Sequence, residues 1–242
     1  MSVYQGLWRK EILMMRGFHI LMSIAGVVLV GTVLLNQDGH SGVETALELS
    51  ALSFVLMPAT VLFSLNMEKH QLSLFLFVKR NLPKQVLIKF FHGWILFTIY
   101  FLFIAVLTLV FYLIGQVGDT IPDILQGLAT AYIYLFFISV MGTVAVFLAW
   151  VLYQLLRKRF NFFLSLILIY FFFVALVSLV QVVLRQISWM DSWSMVPVRL
   201  NKSLSMFWVN DQISMIAVII FLIILVFFYQ LSLFLLKYKV EV

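Results

Sequence analysis

The length of its apolar runs limits most strongly how this chain can fold. Six stretches, residues 18–35, 47–66, 90–114, 124–153, 160–184 and 213–236, reach or approach the length that crosses a bilayer. That length is about 20 mostly apolar residues at ~1.5 Å of rise each. Hydrophobic residues make up 64% of the chain and charged residues 11%, where soluble domains carry about 45–50% and about 25%. A water-soluble fold of 242 residues would need a charged coat that 16 basic and 10 acidic side chains cannot supply. The expected fold class is an all-α integral membrane protein with six transmembrane helices, forming a single transmembrane domain over residues 1–242. The second run is the most polar, diluted by Glu48, Ser50, Ser53, Pro58, Ser64 and Asn66, and Pro58 is expected to kink it.

Charge sets the orientation. With the N-terminus inside, Arg9, Lys10, Arg16, Lys69, Lys79, Arg80, Lys84, Lys89, Arg157, Lys158, Arg159, Lys237 and Lys239 are cytoplasmic, thirteen of the 16 basic residues. Arg185, Arg199 and Lys202 fall outside, with most of the acids. Lysine and arginine gather in cytoplasmic loops, so both termini are expected in the cytoplasm of a multi-pass protein of a bacterial cell membrane. The net charge of +6 does not point to nucleic acid, because the cations sit between apolar runs and form no dense polar stripe. Arg9, Lys10 and Arg16 precede the first run, with no small-residue cleavage site behind it. That run is expected to stay as an anchor.

Two segments that do not span have character. Residues 2–16 mix Leu7, Trp8, Ile12, Met14 and Met15 with Arg9, Lys10, Glu11 and Arg16, the pattern of an amphipathic helix lying at the inner interface. Residues 185–212 carry Trp189, Trp193, Val196, Pro197, Val198, Phe207 and Trp208. This hydrophobic outer segment before the last span suits short helices dipping into the interface, where tryptophan is favoured.

The usual signs of catalysis are missing. There is no cysteine, no H-E-x-x-H and no G-x-S-x-G elbow. The spans hold no ionisable Asp, Glu, Lys or Arg away from their ends, where an intramembrane enzyme or ion-coupled transporter would keep one. His19 and His92, at the inner ends of spans one and three, read as interfacial anchors without a catalytic role. Gln126, Thr130, Ser139, Thr143, Ser165, Ser178, Gln181 and Gln230 are expected to pack and to hydrogen-bond between helices, and Gly26, Gly31, Ser139, Gly142 and Ala145 to let helices approach. No catalytic residue, metal site or cofactor site is expected.

The most informative stretch is Asn66 to Trp94, NMEKHQLSLFLFVKRNLPKQVLIKFFHGW. Leu72, Leu74, Phe75, Leu76 and Phe77 are too apolar for an idle loop, Lys79 and Arg80 follow, and Pro83 suits the first turn of a helix. An apolar helix bracketed by cations at the cytoplasmic surface should dock on either lipid headgroups or a soluble partner, and its projection as a compact hairpin favours the partner. The order of parts is LWRKEILMMRGF as an amphipathic helix, a span, a short outer loop, a span, a Glu-bearing cytoplasmic helix, a proline, a basic re-entry and three more spans. This layout resembles the membrane (permease) subunits of type-2 ABC exporters. Members commonly carry glycine soon after the acidic residue and a Gly-Lys pair entering span three; here stand Gln71 and Lys89-Phe90-Phe91-His92-Gly93.

The resemblance implies an ATPase-coupling helix comprising Glu68, Gln71, Leu72, Leu74, Phe75, Leu76, Lys79 and Arg80, and a connecting helix comprising Trp8, Arg9, Glu11 and Arg16. No G-x-x-x-x-G-K-[ST] occurs, so ATP and magnesium would sit on a partner, an ABC ATPase subunit present in two copies. A second permease half, the same chain or a paralogue, would complete the path through membrane lipid. The function expected is half of the translocation path of an ATP-driven exporter, with a hydrophobic or amphipathic peptide or antimicrobial as cargo. A channel not driven by ATP, or a peptide-sequestering immunity or scaffold protein, would share the anchors but would lack an ATPase partner.

Overall fold

The computed structural model describes residues 3–35, 50, 53–68, 82–113, 120–187, 195–197 and 212–238. Seven helices stand among the described residues: α1 (Val3–Met14), α2 (Arg16–Leu35), α3 (Ser53–Glu68), α4 (Leu82–Leu113), α5 (Ile121–Leu156), α6 (Phe162–Ile187) and α7 (Met215–Tyr238). Four stretches are long and apolar enough to cross a membrane, Leu82–Val110, Ile124–Leu156, Phe162–Val182 and Val218–Lys237, or five if α1 and α2, bent by 58° at their junction, count as one span. Their outward faces are apolar: Phe163 is 77% exposed and Tyr170 66%. A water-soluble helix would keep such side chains inside. The chain is an all-helical, multi-pass membrane protein but for one small pair of strands.

That pair departs from the expectation for the outer segment. Met195–Pro197 (β1) runs antiparallel to Gln212–Ser214 (β2), with Val196 opposite Ile213, where short helices were expected. β-Branched residues at the paired positions favour the extended form, and Pro197 cannot donate a backbone hydrogen bond to a helix. Trp189, Trp193, Val198, Phe207 and Trp208 lie outside the described residues.

The described residues form two compact units, one ending at Thr143 of α5 and one resuming at Val144. In the first, α3 packs on α4. Met57, Val61 and Leu65 of α3 and Val86 and Phe97 of α4 are buried. The approach is closest at Gly93, where an added Cβ would stand 3.0 Å from Met57 Cγ and 3.1 Å from its carbonyl oxygen. Helix α3 continues through Pro58, and Gly142 leaves room for that ring at 3.6 Å. Across α4 and α5, the Trp94 indole donates to the Tyr132 hydroxyl at 3.2 Å, and Thr98 Oγ1 is 3.0 Å from the same oxygen. In the second unit, Phe147, Leu148 and Val151 of α5 and Leu233 and Leu236 of α7 are buried, and the Phe147 and Tyr229 rings meet at 6.3 Å. Arg157, Lys158 and Arg159 are exposed in the tight turn joining α5 to α6.

Two sequence expectations change in detail. Thr130, Thr143, Ser165 and Ser178 each donate to the carbonyl four residues back along the chain, so they bond locally and not between helices. Gly26 is not a packing glycine, since a Cβ there would meet nothing within 4 Å; Gly93 makes the close approach instead.

Candidate functional site

Three helix ends converge on one lysine. Helix α4 begins at Leu82, with Pro83 in its first turn as expected, so the basic re-entry and the apolar run from residue 90 form one helix. Lys89 therefore stands two turns inside a helix, and only 1% of it is exposed. Its Nζ lies 3.0 Å from Glu11 Oε2 of α1 and 3.1 Å from Glu68 Oε2 of α3. It also donates to Ser64 Oγ of α3, and that hydroxyl in turn donates to Glu11 Oε1. Lys10 Nζ closes the outer side, 2.7 Å from Glu68 Oε1. Two carboxylates thus face two ammonium groups, the balance a buried ionic cluster needs before its attraction can offset desolvation.

An imidazole pair extends the cluster. His19 Nε2 of α2 and His92 Nε2 of α4 are 2.9 Å apart. One nitrogen must donate and the other accept, so while the bond lasts at least one ring is neutral. His92 Nδ1 faces Glu11 Oε1 at 4.0 Å, beyond hydrogen-bond distance. The Trp8 ring packs edge-on to His92 at 5.3 Å and against Phe91 at 5.7 Å. Burial alone would raise the Glu11 carboxyl; the facing His92, the Lys89 charge and the Ser64 hydroxyl overcome that and hold it down to about 2.

Helix α1 is amphipathic as expected, but its inward side carries Trp8 and Glu11, followed by buried Met15 just past its end, while Ile12 and Leu13 are 39% and 63% exposed. An acid faces protein and leucine faces outward, which inverts a soluble helix and suits one lying at a membrane surface.

Of the connecting-helix residues predicted from sequence, the structure buries Glu11, half-buries Trp8 and leaves Arg9 and Arg16 exposed. Of the coupling residues, Glu68 joins the cluster, while Gln71, Leu72, Leu74, Phe75, Leu76, Lys79 and Arg80 lie outside the described residues. Sequence reasoning missed Lys89, Ser64, Lys10 and the histidine pair. Lys89 was read only as a cation of the cytoplasmic re-entry, and His19 and His92 as separate anchors, because nothing in a sequence brings positions 73 residues apart together. No known protein family, curated protein or solved structure matches the chain.

Proposed function

We propose that this chain is the transmembrane subunit of an ATP-driven type-2 ABC exporter, forming half of a translocation path with a second permease half. Two copies of a separate ATPase chain would bind and hydrolyse ATP with magnesium. The observation that carries this reading is the Lys89 cluster. The stretch between Glu68 and Leu82 holds Leu72, Leu74, Phe75 and Leu76 between cations, and Glu68, where it leaves α3, is ion-paired to α4 through Lys89 and to α1 through Lys10. A push on that stretch reaches three helices at once. Linked movement of that kind is what an energy-coupling element needs.

In this reading the protein has six spans, with α2 and α3 as the first two, and α1 lies along the cytoplasmic face of a bacterial cell membrane. The cargo is a hydrophobic or amphipathic peptide or antimicrobial, in keeping with a chain that carries 25 phenylalanines. The chain itself performs no covalent chemistry.

Purification of the tagged protein from mild detergent tests the proposal. Wild type should recover an ABC ATPase, and a variant with Leu74, Phe75 and Leu76 replaced by Asp should lose it. If neither recovers an ATPase, the exporter reading fails and the channel and scaffold alternatives remain.

A further inference from the structure

Above the histidine pair, α2, α3 and α4 enclose an open-sided cavity of about 320 Å³, with His19, Met22, Gly26, Leu56, Ile99, Tyr100 and Phe103 among its walls. From His19 to Gly26 it extends along two turns of α2, about 10 Å. The walls are apolar but for His19, Ser23 and Tyr100. His19 is bonded to His92, and the Ser23 hydroxyl donates to the His19 carbonyl. The Tyr100 hydroxyl oxygen is buried and has no hydrogen-bond partner among the described residues. On the flanks, Ile20, Ile24, Val28, Leu102 and Val106 are exposed, so the cavity opens beside surfaces that would face hydrocarbon.

Shape and charge narrow what can fill it. Water is disfavoured, because apolar cavities stay dry. A single hydrocarbon chain fits. Hydrocarbon gains little by leaving the bilayer for an apolar groove, so specific residence needs a polar contact as well. Arg16 supplies one. It is exposed and lies three residues before His19, on the helical face that continues through Ser23 and Gly26. Tyr100 supplies the other, since its hydroxyl has no partner among the described residues and helical side chains lean toward their own N-terminus.

We propose that this groove holds one acyl chain of an anionic phospholipid from the leaflet in which α1 lies. Arg16 faces the phosphate and Tyr100 donates to an ester oxygen. The site requires no ATPase partner, so it stands or falls independently of the exporter reading.

Native mass spectrometry of the detergent-purified chain, with phosphatidylglycerol or phosphatidylcholine added at equal concentration, tests it. Wild type should retain phosphatidylglycerol in about fivefold preference, the factor one cation near an anionic headgroup supplies. Gly26→Phe fills the groove from a position where a Cβ meets nothing and should remove both adducts. Arg16→Gln should erase the preference while leaving phosphatidylcholine binding as it was. Should Gly26→Phe not purify as folded protein, Gly26→Leu is read in its place. Unchanged phosphatidylglycerol binding in the folded groove-filled variant, or unchanged preference in Arg16→Gln, overturns the proposal. Loss of self-association in the groove-filled variant with lipid binding intact overturns it too, and assigns the groove to a second copy.

Discussion

Replacing Lys89 with methionine keeps most of the side-chain volume and removes the charge on which Glu11 and Glu68 converge. The two acids are not left equally exposed to the loss. Glu68 keeps Lys10 at 2.7 Å, whereas Glu11 keeps only the Ser64 hydroxyl and an imidazole nitrogen 4.0 Å away. Breaking a buried pair by removing one partner costs about 3–5 kcal/mol. The chain can limit that cost by protonating Glu11. From the ordinary carboxyl value of 4.5, this takes about 2.5 pH units at pH 7, or about 3.4 kcal/mol at ~1.36 kcal/mol per unit. The two routes agree on a deficit of about 3 kcal/mol at pH 7, and the second adds a signature. Because protonation becomes easier in acid, the deficit should shrink by about 1.4 kcal/mol per unit between pH 7 and pH 5. Reversible denaturant unfolding in micelles at pH 7, 6 and 5 measures both, and adding Glu11→Gln to Lys89→Met should recover more than about 1 kcal/mol through their coupling. A deficit under about 1 kcal/mol at pH 7, or one that does not change with pH, would refute the placement of Lys89 as the centre of a buried ionic cluster.

In the wild type the sign follows from the depressed Glu11 value: a group that ionises more readily when folded adds stability above its unfolded value and loses it in acid. The docking of α1 should therefore hold down to about pH 4.5 and weaken from there toward pH 2, where Glu11 titrates, read as proteolytic release of α1 during an acid titration. Gly93→Ala should cost about 1–3 kcal/mol by overpacking against the Met57 backbone, whereas Gly127→Ala, whose Cβ meets nothing within 4 Å, should stabilise by up to about 1 kcal/mol through helix propensity; thermal unfolding of the two variants separates packing from propensity. Lys10→Ala should cost no more than about 1 kcal/mol in the same assay, since that side chain is 50% exposed and its pair is largely screened.

The membrane-spanning character was legible because it rests on composition and run length, which no tertiary contact can override. Pro83 in the first turn of α4 and the amphipathic α1 were legible for the same local reason. The cluster was not. Lys89 falls seven residues after Leu82, within the helix that Pro83 opens, but nothing in the sequence brings Glu11 and Glu68 onto it. Glu11 follows the wheel of α1 correctly, but only contact with α4 reveals that its side is the buried one. The strand pair at Val196 and Ile213 escaped because three residues are too few for a period to show.

Helices in lipid gain no hydrophobic force by meeting one another, so their association rests on close packing and polar contacts. The two kinds are divided unequally here. Helix α3 meets α4 through the steric fit of Met57 on Gly93 as well as through Lys89 and Ser64, whereas α1 is held by charge and hydrogen bonds at Glu11 and Lys10, with Trp8 over His92 as its main ring contact. A packed interface resists displacement steeply over tenths of an ångström, while an ionic one yields gradually with distance and with the charge of its surroundings. A load applied between Glu68 and Leu82 would therefore move α3 and α4 together and spend its displacement against α1. The Glu11–Lys89 contact, not the α3–α4 seam, is where a change of state in this chain should first be felt.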